Sequence, residues 1–270
     1  MKNKTEIIAE KIALEIKYSG ISVEDGNFQF DFDNDAPGDI IKLASYRLNS
    51  SAFKNNVYWF GYQFEASATS RERTAFINKL KGIGGESFPA SVLRRFIELP
   101  MNALSNKISS YKISNFVYPL SGRSNLVTKM IRIIHEWLSR DIKSSSFELV
   151  KQAPVNIKFD WLSFRDDYAS NPNYEQMIKH VKENILPAIQ ELDYFSLAHN
   201  VKPKYRPYIT NYLGFPDLSK LEKYASLKGQ NILVVDDINT SGSTLNEILR
   251  ILNEVNENCN IYIYTLIGKI

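Results

Sequence analysis

The chain has 270 residues and a mass of 31.0 kDa, with 44% hydrophobic, 12% aromatic and 23% charged residues, a balance that excludes a disordered or collagen-like protein and allows one large domain or two modest ones with a core needing no cross-links. Lys and Arg total 33 against 30 Asp and Glu, and this surplus of +3 is too small to indicate nucleic acid. Cys259 stands alone, so an intramolecular disulfide framework and a multi-cysteine zinc site are both excluded and a reducing, cytoplasmic setting is expected.

At the N-terminus Ile7, Ile8, Ile12 and Ile16 recur at helical spacing among Glu6, Glu10, Lys11, Glu15 and Lys17, which predicts an amphipathic helix rather than a signal peptide. No apolar run approaches the ~20 residues of a membrane span, so no membrane partner is expected. Phe28, Phe30 and Phe32 alternate with polar residues as in a strand. The acids Asp31, Asp33 and Asp35 follow, but Ala36 and Lys42 occupy the places where a calcium loop needs Gly and a bidentate acid, so the segment reads as a solvated turn. Val57 to Phe64 is rich in strand-forming aromatics. Tyr58, Trp59 and Tyr62 within it could stack on a base, although aromatics on a strand are more often core. Ser70 to Leu80 predicts a helix ending at the Gly82 to Gly85 turn.

From residue 113 the texture becomes alternating strands and helices. Ile113 to Leu120 predicts a strand, Asn125 to Leu138 an apolar-faced helix, and Phe147 to Val150 a second strand, while Val155 to Trp161 is ambiguous. Tyr174 to Leu192 predicts a helix that Pro187 kinks or ends. Ala198 to Leu218, with Pro203, Pro207, Gly214 and Pro216, predicts a long polar loop of the kind that usually carries function. His135 and His180 fall in helices and read as surface or packing residues.

The informative segment comes last. Ile232 to Val235 is an unbroken β-rich run, as in a strand buried on both faces of a parallel sheet. Asp236 and Asp237 follow, then Ile238, Asn239 and Thr240-Ser241-Gly242-Ser243-Thr244, with Leu245, Ile248, Leu249 and Leu252 defining a helix and Ile261 to Ile267 a final strand. In this βαβ unit, backbone amides opened by Gly242 at a helix start converge with four hydroxyls into an anion cradle. Carboxylates at the C-terminal edge of the sheet lie where open α/β folds bind ligands, and suit vicinal sugar hydroxyls. Neither the Walker A pattern nor Gly-x-Gly-x-x-Gly is present.

Val234 to Thr244 resembles the phosphoribosyl pyrophosphate (PRPP) loop of type I phosphoribosyltransferases. The resemblance implies an α/β fold, a phosphoribosyltransferase-type doubly wound, mainly parallel sheet core over residues 111–270; residues 1–110 read as an added N-terminal α+β region, a candidate acceptor-site hood that resembles no specificity hood of the family. It places Asp236 and Asp237 on the ribose hydroxyls and Thr240, Ser241, Gly242, Ser243 and Thr244 on the 5-phosphate. Tyr118 to Asn125, with Ser121, Gly122, Arg123 and Ser124 before a helix, resembles the family's pyrophosphate loop. His199 to Phe215, bearing Lys202, Lys204, Arg206 and Tyr208, occupies the position of its mobile loop, with Arg206 as the leading cation for the departing pyrophosphate.

The implied reaction transfers ribose 5-phosphate from PRPP to a nitrogen acceptor, a nucleobase or a related small molecule, and releases pyrophosphate. The implied cofactor is Mg2+, held mainly through PRPP or pyrophosphate oxygens. Members acting on 6-oxopurines carry Asp where this chain has Thr240, which argues against hypoxanthine and guanine. Two other readings stay open: a non-catalytic PRPP-binding regulator, and an accessory protein of DNA uptake or phage defence. A homodimer or an accessory-system partner also stays open.

Overall fold

The computed structural model describes residues 21–24, 27–30, 44–47, 57–62, 64, 69–122, 124–138, 143–216, 229–239, 242–255 and 259–268, with side chains from residue 57 onward. The expected Ile7 to Ile16 helix, the Asp31 to Asp35 turn, and the site candidates Arg123, Thr240 and Ser241 lie outside these residues. Strands β1 (Ile21–Glu24) and β2 (Asn27–Phe30) pair antiparallel, as do β3 (Ala44–Arg47) and β4 (Val57–Tyr62). Helices α1 (Ser70–Lys81) and α2 (Ala90–Ser110) follow, then β5 (Asn115–Pro119), α3 (Leu126–Trp137) and β6 (Ser145–Lys151). After β7 (Lys158–Phe159) come α4 (Trp161–Tyr168), α5 (Tyr174–His180), a π-turn (Val181–Ile185), α6 (Leu186–Gln190) and α7 (Leu197–Asn200). A 3-10 turn (Pro203–Tyr208), β8 (Ile209–Thr210), β9 (Leu213–Gly214), β10 (Asn231–Ile238), α8 (Ser243–Val255) and β11 (Asn260–Ile267) complete the order.

Among the described residues, seven strands form one sheet in the order β3-β4-β11-β10-β5-β6-β9. The five from β4 to β6 are mutually parallel, and β3 and β9 close the two edges antiparallel. This is the expected α/β, mainly parallel sheet. Its two faces are buried separately because side chains alternate along each strand. Ile232 and Val234 of β10 share a cluster with Leu245, Ile248 and Leu252 of α8, whereas Leu233 and Val235 join Met130 and Ile134 of α3 and Phe96 and Leu104 of α2. The sheet is therefore doubly wound.

The boundary expected near residue 110 is not a break in this sheet. β4 hydrogen-bonds along β11 from Val57 opposite Tyr262 to Tyr62 opposite Ile267, and α1 and α2 share a core with β5, β10 and β11. The aromatics of β4 are accordingly core. Trp59 stacks on Tyr262 with ring centroids 5.4 Å apart, Tyr62 on Phe96 at 3.9 Å, and Tyr58 bonds the Thr265 hydroxyl at 2.5 Å. None of the three is left as an open stacking surface.

Three local outcomes depart from the sequence pattern. α2 carries Pro100 in its interior, which propensity opposes, yet Phe96, Ile97, Met101, Leu104 and Ile108 are all almost completely buried, and packing overrides the proline. Chain continues helically through Pro187 because the ladder switches to a π-turn just ahead of it, where the Leu186 amide donates to the Val181 carbonyl. The described part, 198–216, of the segment expected as a loop from Ala198 to Leu218 instead carries most of α7, the 3-10 turn, β8 and β9. Tyr205, Tyr208, Ile209, Tyr212 and Leu213 from it are buried, so apolar packing orders what the prolines only punctuate. The ambiguous Val155 to Trp161 contains β7, paired with β8.

Gly61 is hemmed in within the sheet: a Cβ there would lie 2.9 Å from the Tyr264 hydroxyl, 3.0 Å from the Leu266 carbonyl and 3.0 Å from Pro100 Cβ. Gly61→Ala is expected to lower stability by about 1–3 kcal/mol, read as a lower urea midpoint with an unchanged slope.

Candidate active site

β10 lies between β11 and β5 and is parallel to both. From β10 the chain crosses through α8 to β11 on one side, and from β5 it crosses through α3 to β6 on the other, with the two helices on opposite faces. The C-terminal ends of β10 and β5 thus flank a topological switch point, where α/β sheets open a crevice. Both candidate loops start there. Val234 registers with Val117, so two residues on Asp236 stands level with Pro119.

Asp236 and Asp237 end the strand with only 5% exposure each. Being adjacent on a strand, they point to opposite faces. Asp237 turns toward α1, where Lys81 Nζ lies 2.9 Å from Oδ1 and 2.8 Å from Oδ2. Asp236 accepts a hydrogen bond from the Asp237 amide at 2.9 Å on its own Oδ1. Burial, followed by the charge of Asp237, pushes the Asp236 carboxyl well above its ordinary range, to about 7, against the opposing pull of Lys81 and the Asp237 amide. Burial opposes the charge on Lys81, but Asp237 and Asp236 together hold its ammonium above the usual lysine range.

Lys81 reaches the pair because both ends of α1 are fixed. Thr69 Oγ1 accepts from the Glu72 amide while Glu72 Oε2 accepts from the Thr69 amide at 2.7 Å, a complete capping box. At the other end Gly82 turns into the left-handed region at φ 67°, stopping the helix one residue after Lys81.

Beyond the acids, the Asn239 amide extends the ladder to the Ile267 carbonyl, and Asn239 Oδ1 is buried without a hydrogen-bond partner. Gly242 sits at φ 75° and its carbonyl accepts from Asn246, so it opens α8. Ser243 and Thr244, at the start of α8, are the described residues of the expected cradle. Tyr212, buried on the turn between β8 and β9, donates to the Ser243 carbonyl at 2.8 Å and fixes this helix start from the side. Burial and then the charge of Glu247 push its phenol upward. Glu247 itself is buried on α8, gripped by Arg250 Nε at 2.8 Å and Nη2 at 2.9 Å.

After β5, Ser121 and Gly122 are exposed, and Ser124 Oγ accepts from the Leu126 amide at 3.2 Å at the start of α3. Tyr194 covers this loop: its hydroxyl would lie 3.2 Å from a Cβ at Gly122. Lys151, ending β6, donates to that hydroxyl at 2.5 Å and to the Phe195 carbonyl at 2.9 Å.

Arg206 is placed differently. Its Nε donates to the Val201 carbonyl at 2.8 Å within its own segment, and burial lowers its pKa. Lys202 and Lys204 line a surface cavity of about 340 Å³ with Asn173, Gln176, Met177, His180 and Tyr205, and neither the acidic pair nor either loop contributes to it. Tyr208 donates to Asp167 at 2.6 Å and is core. His135 is a packing residue, bonded to Ser144 and Ser146 and edge-on to Phe116.

Residues 176–270 match the model of the phosphoribosyl transferase domain. That stretch, about a third of the chain, is similar to a phosphoribosyl transferase domain. The matched stretch takes in β10, the acidic pair and α8, and leaves β4, α1 and the Ser121 to Asn125 loop outside. A search of curated proteins finds no match. Solved structures similar to this chain include a hypoxanthine phosphoribosyltransferase from Staphylococcus aureus (13% identity, 66% of this chain and 74% of that one, TM-score 0.33) and one from Trypanosoma cruzi (9%, 65% and 72%, 0.34). A hypothetical protein from Neisseria gonorrhoeae with bound ppGpp is similar at 15% identity over 68% of this chain and 70% of that one, with TM-score 0.35. Nothing about this chain's substrate follows from them.

Sequence reasoning singled out the acids, the cradle and the second loop, but not Lys81, Tyr212, Lys151 or Tyr194. A lysine in the last turn of a helix is what the helix dipole favours anyway, so no local signal separates Lys81 from an ordinary surface residue. Among the described residues no group of three or more His, Cys, Asp or Glu gathers to hold a metal ion, and no helix is long and apolar enough to cross a membrane.

The upward shift of Asp236 has a stability consequence. A carboxyl held near 7 when folded, against about 3.9 unfolded, favours the fold below the unfolded value and loses that contribution as pH rises through the folded one. Asp236→Asn, which keeps the acceptor for the Asp237 amide, is expected to be more stable than wild type at pH 8. The gap in melting temperature should shrink as pH falls from 7 toward 4, as differential scanning fluorimetry across that range would register.

Proposed function

We propose that the chain is a Mg2+-dependent phosphoribosyltransferase that moves ribose 5-phosphate from PRPP to a nitrogen acceptor, a nucleobase or related small molecule, with release of pyrophosphate. The observation that carries this reading is the buried acidic pair at the end of β10, followed at once by the Gly242-opened start of α8, inside the matched domain. Asp237, ionised against Lys81, accepts from one ribose hydroxyl. Asp236 takes the other, and the two carboxyls hold the ring as positive charge grows at C1. The amides of α8 with Ser243 and Thr244, joined by Thr240 and Ser241, take the 5-phosphate. Ser121, Gly122, Arg123 and Ser124, on the neighbouring strand end, take the pyrophosphate. Positioning of this kind supplies roughly 7–11 kcal/mol of such a barrier.

The residues present fit a magnesium ion carried by the substrate better than one caged by protein, since no three-ligand cluster is described and both Asp237 oxygens face Lys81. Held through pyrophosphate oxygens, Mg2+ supplies charge neutralisation at the leaving group. Arg206, whose Nε is engaged by the Val201 carbonyl, would join that role through its Nη donors. Thr240 offers no carboxylate to an incoming base, so hypoxanthine and guanine are not the expected acceptors.

A second reading, a PRPP-binding regulator without turnover, draws on one observation. Lys202 and Lys204 line a cavity apart from the acidic pair rather than the site itself. The test is incubation with Mg2+ and labelled PRPP, with and without a nucleobase panel, following both binding and pyrophosphate release. Turnover supports the enzyme, binding alone supports the regulator, and neither would refute both. Asp236→Asn combined with Asp237→Asn is expected to weaken PRPP binding at least about ten-fold, as loss of hydrogen bonds to charged groups does, with circular dichroism unchanged.

A further inference from the structure

We propose that Lys81 is a positioning residue for ribose recognition: reaching the acidic pair from α1, it fixes Asp237 as the carboxylate acceptor and leaves Asp236 as the partner that carries the proton. This rests on the ribose role proposed for the pair. The Lys81 ammonium sits almost symmetrically between the two Asp237 oxygens, at 2.9 and 2.8 Å. Each carboxylate oxygen has two acceptor positions, so this grip sets the plane of the group and still leaves acceptor capacity for a sugar hydroxyl. Side-chain exposure is 22% for Lys81 and 7% for Asp237. An ion pair this buried is a weak source of stability, because desolvation offsets most of the attraction, so the fold alone does not call for it.

The pair needs such a cation. Two adjacent carboxyls at 5% exposure cannot both ionise cheaply. Lys81 answers the conflict by bonding both oxygens of Asp237, while burial and the charge of Asp237 favour the proton on Asp236. A vicinal diol then meets one acceptor and one group able to donate, a complement that two equal carboxylates do not offer. Among the described residues, Tyr212 on the β8–β9 turn interacts electrostatically with Asp236, and Tyr212 in turn feels Glu247 and Arg250 on α8. Tyr58 of β4 is engaged by Thr265. Lys81 is thus the cation that bonds the pair among the described residues, and it comes from outside the stretch that matches the domain model.

The experiment compares wild type, Lys81→Met and Lys81→Arg in three measurements: carboxyl titration of Asp236 and Asp237 by carbon NMR without ligand, PRPP affinity from pH 5.5 to 8.5, and affinity for inorganic pyrophosphate. Lys81→Met should titrate the pair at higher pH, bind PRPP about ten-fold or more weakly with its profile displaced to higher pH, and bind pyrophosphate as wild type does. Lys81→Arg should recover most of the PRPP affinity. The proposal is overturned if the carboxyl titration of Lys81→Met is unmoved, if its PRPP affinity and pH profile match wild type, or if PRPP and pyrophosphate affinities fall together. A wild-type chain that binds no PRPP overturns the ribose role of the pair, and with it the ligand half of this proposal. The ligand-free titration then reports on the Lys81 contact by itself.

Discussion

Two carboxyl groups on consecutive residues at the end of a fully buried strand are the constraint around which this structure is arranged. Alternation along β10 sends Asp236 and Asp237 to opposite faces of the sheet, and each face answers differently. On one, α1 brings Lys81 to Asp237. On the other, burial leaves Asp236 with a carboxyl that holds its proton toward neutral pH. Adjacent acids in a flexible loop would simply be solvated and equivalent. Held at the end of β10, between β11 and β5, they become chemically distinct.

The surrounding elements keep that distinction. The capping box at Thr69 and the left-handed Gly82 fix the ends of α1, and so the height at which Lys81 meets the sheet edge. Tyr212, donating to the Ser243 carbonyl, fixes the start of α8 beside Asp236. The parallel pairing of β5 with β10 brings the Ser121 to Asn125 loop to the same edge. The crevice is thereby bordered by residues from the first, middle and last thirds of the chain. It belongs to a sheet in which β4, from the N-terminal third, is as integral as β11.

How much could be read in advance follows from the range of the forces involved. The β10-loop-α8 unit was legible because its signals are local: an apolar run, an acidic pair, a glycine needed at positive φ and a helical stripe, all within Ile232 to Leu252. The order of Tyr205, Tyr208 and Tyr212 was not, since prolines at 203 and 207 argue locally for a loop, and only burial against the sheet outweighs them. α2 was hidden by Pro100 for the same reason. Arg206 looked like a phosphate-binding cation by type and position, yet its environment turned it onto a neighbouring carbonyl.

By itself, the sequence determined the α/β alternation, the acidic pair with its anion cradle, and the resemblance that ties them to ribose 5-phosphate chemistry, because each depends on residues within a few turns of one another. Tertiary structure alone decided that β3 and β4 of the N-terminal third enter the same sheet, that the expected mobile loop is packed, and that Lys81 faces Asp237 from 156 positions away along the chain. The physical reason is that charge pairing and burial act through space, and no spacing along the chain encodes which lysine will be carried to which acid.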